Sequence, residues 1–385
     1  MTLKNQIIQY IDDQQDQMIR FLEKLVCIQS GTKNKAGVDH VGSVIKKEMQ
    51  AIGFSYEIHR QSCLGDHIIL RSPGRQKDTS QILLVGHMDT VFPHDTDFNY
   101  FKQENEKSFG PGVADMKGGL VVGIFALKAL AHNKMLDRLL PVSFIFNSDE
   151  EIGSPRSRNF IQKEAQNSKM AFVLEAGGLN NEVVTGRKGR LSVELSIKGR
   201  AGHAAFAKGD KASAILELAH KTIALEQLNN PQKGILVNVG IINGGMGPNT
   251  IPEKANAVLD FRFNTSEDYH TICGQIKRIC RTQTIDRVRS DYRVYSVRPP
   301  MPASEKNITL FKDIEAVARQ IGLRIAQEYR PGVSDANLIA QEGIPVIDGL
   351  GPAGGLDHSK DEFIITQSLF ERAKLLGCIL SDIQH

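Results

Sequence analysis

The sequence of this 385-residue chain predicts an α/β fold in which a mostly parallel sheet is accompanied by a smaller, inserted α+β domain. Short apolar runs alternate with helical patterns in the first half of the chain and again near its end, as in layered α/β domains. Residues 188–298 instead show alternating strands and amphipathic helices in the order β-α-β-β-α-β, which is typical of a ferredoxin-like unit. The length is sufficient for two such domains.

The larger domain is expected to comprise residues 1–187 and 299–385. Its strands coincide with short, continuous apolar runs, and its helices show an apolar period near 3.6 residues. The strands are predicted at residues 81–85, 141–146, 171–174 and 344–347. The helices are predicted at residues 1–25, 116–132 and 367–383.

The inserted domain, residues 188–298, has the apolar alternation of half-exposed strands. Its strands are predicted at residues 190–198, 234–242, 255–263 and 289–297. Its helices are predicted at residues 211–228 and 266–281. Pro299 and Pro300 mark its end. Arg287, Arg289 and Arg293 alternate along the chain, and we expect them on a solvated strand face.

The composition argues against several classes of protein. Lys and Arg total 47 and Asp and Glu total 44, so the net charge of +3 gives no reason to expect nucleic acid or an anionic membrane as a partner. The five cysteines are scattered without a Cys-x-x-Cys pair, which predicts free thiols rather than disulfides or a thiolate zinc site. The N-terminus lacks the uninterrupted apolar region of a signal peptide, and no apolar run has membrane-spanning length. A cytoplasmic location is therefore expected.

Polar residues that can bind metal ions follow each predicted strand of the larger domain. They are His87 with Asp89, Glu150 with Glu151, Glu175, and Asp357 with His358. Asp115 comes just before a predicted helix start at Gly118 and Gly119. Because open α/β sheets bind ligands at the carboxyl ends of their strands, we expect these side chains in one crevice. Each residue alone has a more ordinary explanation, such as helix capping for Asp115, but their coincidence favours a metal site.

The types of ligand narrow the choice of metal. Imidazole and carboxylate groups without thiolates suit Zn²⁺, and also Mn²⁺ or Co²⁺. Two histidines and three carboxylates are too many for one tetrahedral ion but suit two ions that share a carboxylate and activate a water between them. A further carboxylate is needed to take the proton of that water. One member of the Glu150–Glu151 pair can do so while the other binds metal.

Four stretches resemble the co-catalytic zinc peptidases and deacylases: GHMDTVFP (86–93), GPGVADMKGG (110–119), NSDEEIGSPRSR (147–158) and LEAG (174–177). This family includes glutamate carboxypeptidase, acetylornithine deacetylase and succinyl-diaminopimelate desuccinylase. The chain is most similar to the bacterial glutamate carboxypeptidases, over nearly its whole length. The resemblance implies a di-zinc hydrolase that releases a C-terminal amino acid, in this case glutamate, from a peptidyl or N-acyl substrate. An N-acyl amino acid deacylase remains the alternative.

The resemblance also implies a role for each metal-binding residue. His87 and Glu175 would hold one zinc ion, Glu151 and His358 would hold the second, and Asp115 would bridge them. A cis peptide bond is implied after Asp115.

Three further side chains would take part in catalysis according to the same resemblance. Glu150 would be the general base and acid, and Asp89 would orient His87 through its second ring nitrogen. The inserted domain would serve as a lid and as the dimer interface of a homodimer. His203 would reach from it into the active site of the partner subunit to polarise the scissile carbonyl.

Asn249, Arg262 and Arg330 are the candidate substrate-binding residues. The resemblance implies that Asn249 contacts the substrate and that Arg262 binds its carboxylate, with Arg330 in support. Arginine suits that role because it can donate two parallel hydrogen bonds to a carboxylate. More ordinary explanations remain open, namely a loop histidine for His203 and a strand ion pair for Arg262.

Two other functions compete with a metallohydrolase. Residues 349–354 fit the dinucleotide-binding pattern G-x-G-x-x-G, but that pattern requires a helix to begin there, and Pro352 opposes one. A metal-binding scaffold without catalysis is the second alternative. The presence of Glu150 together with all the candidate ligands argues against it.

Overall fold

A computed structural model describes residues 1–74, 80–207, 209 and 211–383 of the chain. The helices of these residues are α1 (Leu3–Asp13), α2 (Gln15–Val26), α3 (Lys35–Gln50), α4 (Gly118–His132), α5 (Arg158–Gln166), α6 (Ala214–Glu226), α7 (Ser266–Arg281), α8 (Glu305–Gln320), α9 (Ala336–Ala340) and α10 (Thr366–Asp382). The first nine strands are β1 (Ser55–His59), β2 (His67–Arg71), β3 (Gln81–His87), β4 (Lys102–Glu104), β5 (Lys107–Phe109), β6 (Val142–Asn147), β7 (Ser168–Val173), β8 (Glu182–Arg187) and β9 (Gly189–Lys198). The later strands are β10 (Gly202–His203), β11 (Leu236–Gly244), β12 (Thr250–Ile251), β13 (Lys254–Phe263), β14 (Arg289–Arg298), β15 (Ala326–Arg330), β16 (Val346–Ile347), β17 (Gly354–Gly355) and β18 (Phe363–Ile365).

The chain divides into two compact units. Unit 1 comprises Met1–Gly186, Ala303–Arg330 and Ser334–His385, and unit 2 comprises Arg187–Pro302 and Pro331–Val333. The sequence predicts domain boundaries after residues 187 and 298. In the structure, the chain passes from unit 1 to unit 2 after Gly186 and returns to unit 1 after Pro302. The short return of residues 331–333 to unit 2 had no counterpart in the prediction.

Unit 1 contains a six-stranded sheet in the order β1-β2-β6-β3-β7-β16. Strands β6, β3, β7 and β16 are parallel neighbours, whereas β1 and β2 join the sheet antiparallel. Every residue of β3 is buried, as expected for a central strand that is covered on both faces. The predicted α/β class with a mostly parallel sheet is confirmed. Strand β1 was not predicted because its exposed sequence SYEIH lacks an apolar run.

Helix α4 lies in the core of unit 1, and its residues from Gly118 to Leu130 are all buried. A side chain at Gly119 would place its Cβ 1.7 Å from the carbonyl oxygen of Leu174. Glycine therefore lets the start of α4 lie directly against the chain that leaves β7. Within the described part of the chain, no helix is both long and apolar enough to cross a membrane.

The N-terminal segment forms two helices, α1 and α2, rather than the single helix predicted for residues 1–25. The backbone leaves helical geometry at Gln14, where φ is −106° and ψ is 5°. The apolar side chains Ile11 and Met18 are buried on either side of this break. Because residues 12–17 are all polar, no core contact holds them to one continuous helix.

A small sheet in unit 1, in the order β17-β18-β5-β4, brings two loops together. Strands β18 and β5 are antiparallel, with Phe363 opposite Phe109. The loop that follows β5 and the loop that precedes β18 therefore leave the same end of this strand pair. Within the dinucleotide-like segment 349–354, Gly354 begins the strand β17, and no helix starts there.

Unit 2 contains an antiparallel sheet in the order β11-β13-β9-β14. Its elements follow one another along the chain as β9, α6, β11, β13, α7 and β14, apart from short turns and the ribbon of β10 and β12. Burial alternates strictly along β13, so one face of the sheet supplies the core. That face packs with Leu218 and Leu225 of α6 and with Ile272 and Ile276 of α7.

Candidate metal centre

Five predicted ligands meet within unit 1 at the carboxyl-terminal side of its parallel strands. His87 lies at the end of β3, Glu151 lies in the 3₁₀ turn Glu150–Ile152 after β6, and Glu175 lies in the chain after β7. Asp115 comes from the loop between β5 and α4, and His358 comes from the loop before β18. Two groups of possible ligands share Asp115. In each group the ligand atoms all lie within 4.8 Å of one another.

The carboxylate of Asp115 lies between the two histidines. Its Oδ1 is 2.9 Å from Nε2 of His87, and its Oδ2 is 3.1 Å from Nε2 of His358. Glu175 approaches the first histidine, with its Oε1 3.7 Å from Nε2 of His87. Glu151 approaches the second, with its Oε2 3.4 Å from Nε2 of His358. The arrangement thus has two halves, each with one histidine and one carboxylate, joined by Asp115.

The electrostatics of the centre are those of crowded carboxylates removed from water. Burial, together with the charge of Asp115, raises the pKa of Glu151 to about 7 and raises that of Glu175 well above its usual value. Hydrogen bonds to Asp115 and Glu151 raise the pKa of His358 to about 11. For Asp115, burial opposes ionisation, but hydrogen bonds from His358 and His87 lower its pKa. Such a cluster is stabilised by added positive charge.

These residues fit divalent cations. The buried Oε1 of Glu151 has no hydrogen-bond partner among the described residues, although a buried carboxylate oxygen normally has one. The donor set of two imidazoles and three carboxylates without a thiolate is of the type that zinc, manganese and cobalt accept. A cation between the ligand atoms would satisfy the orphaned oxygen and relieve the repulsion between the carboxylates.

Asp89 is fully buried and connects β3 to the turn that carries the two glutamates. Its carboxylate accepts hydrogen bonds from the hydroxyl of Thr32 at 2.8 Å and from the main-chain N–H groups of Glu150 at 3.3 Å and Glu151 at 3.4 Å. The main-chain oxygen of Asp89 lies 2.9 Å from Nδ1 of His87, and its carboxylate Oδ1 lies 3.5 Å from the same nitrogen. Asp89 therefore contacts His87 through both its main chain and its side chain.

The Asp115–Met116 peptide bond is cis, as the resemblance implied. The loop around it is held by Glu362, a fully buried residue that the sequence analysis did not single out. Its carboxylate accepts hydrogen bonds from the main-chain N–H groups of Gly112 at 2.9 Å, Ala114 at 2.8 Å and Asp115 at 3.0 Å. The signal in the sequence that could have identified Glu362 was its position four residues after His358.

The loop that follows β6 is held by two other buried carboxylates, which were also missed. Asp149 accepts hydrogen bonds from the hydroxyl of Ser157 at 2.6 Å and from the N–H of Arg156 at 2.7 Å. Asp335 accepts hydrogen bonds from the hydroxyl of Ser154 at 2.5 Å and from the amide of Asn147 at 2.7 Å. The position of Asp149 next to Glu150 was a usable signal, but its main-chain partners become apparent only in the folded chain.

Arg330 is the one candidate substrate-binding residue in unit 1. Its Nη1 donates a hydrogen bond to the main-chain oxygen of Ala176 at 2.7 Å, and its Nε pairs with Glu328 at 2.5 Å. This places the guanidinium beside the chain that carries Glu175. A role in substrate binding stays a prediction.

The other candidates lie in unit 2. His203 and Asn249 are exposed neighbours on the ribbon of β10 and β12, where the N–H of Ala204 donates to the main-chain oxygen of Asn249 at 2.9 Å. Arg262 pairs with Asp260 of its own strand at 2.7 Å and donates to the main-chain oxygen of Pro331 at 3.3 Å. The strand ion pair considered for Arg262 is therefore present. The proposed substrate contacts of all three residues stay predictions.

A cavity of about 530 Å³ opens beside Glu151 in unit 1. Val91, Phe92 and Ile152 give it an apolar wall, and Thr32 adds a polar group. Its volume is in the range of small-molecule sites. A ligand bound in this cavity would lie next to one half of the candidate metal centre.

Comparison with known proteins identifies the family. Residues 83–382, more than three quarters of the chain, match the model of peptidase family M20/M25/M40. The chain belongs to this family. The M20/M25/M40 family is typically metal-dependent, which agrees with the donor set around Asp115.

Relatives of this M20/M25/M40 chain include a carboxypeptidase and a desuccinylase. Carboxypeptidase G2 from Pseudomonas sp. strain RS-16 is 29% identical, over 98% of this chain and 92% of the relative. Succinyl-diaminopimelate desuccinylase from Pseudoalteromonas atlantica is 30% identical, over 72% of this chain and 76% of the relative. The predicted enzyme class, a metallopeptidase or amidohydrolase, is confirmed.

Solved structures share the fold of this M20/M25/M40 chain. Aminopeptidase PepT from Bacillus cereus aligns with a TM-score of 0.81 at 22% identity, covering 96% of this chain and 98% of that one. An M20 family metallo-carboxypeptidase from Sulfolobus solfataricus aligns with a TM-score of 0.74 at 17% identity, covering 94% and 98%. At these identities the likeness shows a common fold and no more.

Proposed function

We propose that the chain is a di-zinc hydrolase that cleaves the amide bond of a C-terminal amino acid, glutamate, from a peptidyl or N-acyl substrate. The observation that carries this proposal is the Asp115 carboxylate between His87 and His358, within two overlapping groups of possible ligands. The relative named carboxypeptidase G2, similar over 98% of this chain, supports the carboxypeptidase class. The choice of glutamate rests on the sequence resemblance to bacterial glutamate carboxypeptidases.

The proposed ligands divide between two ions. His87 and Glu175 hold one ion, Glu151 and His358 hold the other, and Asp115 is shared. Zn²⁺ is the proposed metal, and Mn²⁺ or Co²⁺ would suit the same donors. Such a pair of ions, when bound, acidifies a water molecule and polarises the carbonyl group of the substrate.

The chain's own groups supply the proton transfer. Glu150 lies in the same turn as Glu151, and its negative charge contributes to the raised pKa of Glu175. We assign Glu150 as the general base that takes a proton from water and passes it to the leaving nitrogen. Asp89 keeps His87 in one orientation through the contacts at its Nδ1, as a carboxylate partner does for a ligating histidine.

Unit 2 is proposed to act as the lid and dimerisation domain of a homodimer. Strand β11 is at an edge of its sheet and exposes Ile241 and Ile242, while α6 exposes Ile223. An exposed apolar edge strand is a surface that commonly pairs with a second chain. His203, acting across the dimer, would then polarise the substrate carbonyl. Asn249, Arg262 and Arg330 would bind the substrate, the arginines through its carboxylate.

An N-acyl amino acid deacylase is supported as the second candidate by the relatives named succinyl-diaminopimelate desuccinylase. The two reactions use the same chemistry and differ in the part of the substrate that gives specificity. A hydrolysis panel with Zn²⁺, Mn²⁺ or Co²⁺ separates them. It would contain peptidyl-glutamates together with acetyl-ornithine and succinyl-diaminopimelate. A preference for C-terminal glutamate supports the first candidate, and a preference for either acylated diamino acid supports the second.

The Glu150→Gln variant tests the proposed chemistry. We expect it to bind metal as the wild-type protein does, because the assigned ligands remain, and to lose about 10²–10⁴-fold in kcat, because the amide cannot take a proton. Metal content by elemental analysis and turnover on the best substrate of the panel would be measured together. Wild-type turnover in this variant would refute the assigned role of Glu150.

A further inference from the structure

The loops that carry Asp115 and His358 are joined by one buried side chain, that of Glu362. Strands β5 and β18 are antiparallel neighbours, so the loop after β5 and the loop before β18 emerge side by side. Glu362 is the last residue before β18, and the main-chain N–H of Gly110 also donates to its carbonyl oxygen at 3.4 Å. Glu362 therefore lies at the point where the loop that carries Asp115 runs beside the loop that carries His358.

The carboxylate of Glu362 is used entirely as a hydrogen-bond acceptor for the loop of Asp115. Its Oε1 accepts from the N–H groups of Ala114 and Asp115, and its Oε2 accepts from that of Gly112. Gly112 has a φ of +73°, a left-handed conformation that glycine adopts easily. Three N–H groups that the loop cannot pair within itself are satisfied by one side chain.

We propose that Glu362 is a positioning residue for the metal centre, which sets the distance between Asp115 and His358. This inference rests on the proposed di-metal function. Asp115 contacts both histidines, with its two oxygens 2.9 and 3.1 Å from their Nε2 atoms, so a shift of its main chain changes both halves of the centre. The side chain of Glu362 holds the main chain of Asp115 directly. Glu362 also lies four residues after His358 in the same loop.

Glutamate suits this position better than its closest substitutes. Glutamine has one acceptor oxygen, and its NH₂ group would face the N–H of Gly112 or those of Ala114 and Asp115. Aspartate keeps two acceptors but is shorter by one methylene group, so it cannot reach the three donors without movement of the main chain. Both substitutions preserve the proposed ligands and disturb only their spacing.

The test compares Zn²⁺ affinity in the full-length wild-type protein, Glu362→Gln and a matched control, Glu217→Gln. Glu217 is also fully buried and also accepts main-chain N–H groups, from Thr284 at 3.1 Å and Ile285 at 2.6 Å, but it belongs to unit 2. Each protein is stripped of metal and titrated with Zn²⁺ against a chromogenic chelator. We expect Glu362→Gln to bind Zn²⁺ about 10–100-fold more weakly than wild type, and the control to bind it with wild-type affinity.

A second readout distinguishes positioning from a general loss of stability. With Co²⁺ in place of Zn²⁺, the visible absorption spectrum reports the ligand geometry, and we expect it to change in Glu362→Gln and not in the control. If Glu362→Gln does not fold, Glu362→Asp replaces it, with weaker Zn²⁺ binding again expected. Wild-type Zn²⁺ affinity with an unchanged Co²⁺ spectrum in the folded variant would overturn the proposal. Failure of the wild-type protein to bind Zn²⁺ would instead refute the proposed function.

Discussion

At the scale of single residues, the candidate centre depends on side chains whose partners are main-chain groups. Asp89 accepts N–H groups from the turn of Glu150 and Glu151, and its own main-chain oxygen contacts His87. Such contacts orient the proposed ligands without occupying the atoms that would bind metal. Residues of this kind are therefore expected to influence metal affinity and turnover even though they are not ligands.

Asp89→Asn tests this expectation. The substitution keeps the side-chain volume but removes the charge that lies 3.5 Å from Nδ1 of His87, and we expect kcat to fall about 10–100-fold. Thr32→Val is the matched control, because it removes the hydroxyl that donates to the same carboxylate at 2.8 Å and leaves the charge in place. Steady-state kinetics would be measured on both. Equal losses in the two variants would contradict a specific role for the Asp89 charge.

At the scale of secondary-structure elements, one partly buried ion pair links strands of the six-stranded sheet. Glu164 of α5 pairs with Arg71 of β2 at 2.7 Å and accepts hydrogen bonds from Gln81 of β3 at 2.8 Å and Ser143 of β6 at 2.9 Å. A single side chain thus ties a helix to three strands, two of which lead to proposed metal ligands. The stability of this arrangement has a defined pH dependence.

The pKa of Glu164 gives the direction of that dependence. Burial opposes its ionisation, but hydrogen bonds from Arg71 and Gln81 lower its pKa from 4.5 to about 2. Because the folded-state pKa is the lower one, this carboxylate stabilises the fold above about pH 4.5, and the contribution is lost as the pH falls toward 2. We expect Glu164→Gln to lower the free energy of unfolding at pH 7 by about 2 kcal/mol and to flatten its fall in that window.

Glu57→Gln is the control for this prediction. Glu57 pairs with the same Arg71 at 3.1 Å but is 52% exposed, and exposed ion pairs contribute about 0–1 kcal/mol. Denaturant unfolding of both variants from pH 7 to pH 2 would check the prediction. Parallel pH profiles for Glu164→Gln and the wild-type protein would contradict it.

At the scale of the whole molecule, the question is the number of chains in the active assembly. The proposed role of His203 in a partner's active site requires a dimer. In unit 2, the edge strand β11 and helix α6 expose Ile241 and Ile223 with 53% and 59% of their surface accessible. Burial of these side chains against a second chain would remove apolar surface from water.

Sedimentation velocity tests the proposed dimer. We expect the wild-type protein to sediment as a dimer and the double variant Ile223→Lys with Ile241→Lys to sediment as a monomer with reduced kcat. Val294→Lys is the matched control, because Val294 is 39% exposed on β14, at the opposite edge of the same sheet. A monomeric wild-type protein with full activity would contradict both the dimer and the role of His203 across it.

Much of the candidate centre could be predicted from the sequence because its signals are local. A buried parallel strand needs a continuous apolar run. The polar residue that follows the run therefore lies at the carboxyl end of the strand, where open α/β sheets bind ligands. The common location of His87, Glu151 and Glu175 therefore follows from the sequence pattern alone. The helices α4, α7 and α10 were predicted to within a few residues because their apolar periods are long and regular.

Other features were decided only by the tertiary structure. The three N–H groups bound by Glu362 come from residues about 250 positions earlier in the chain, and no local pattern records a contact of that span. The antiparallel strand β1 escaped prediction because an exposed edge strand has no apolar run, and the two N-terminal helices were merged because helical periodicity does not register a break among polar residues. The sequence alone thus predicted which groups form the candidate centre. Packing between distant segments decided how these groups are held, since hydrogen bonds to main-chain donors depend on the position of those donors and not on residue type.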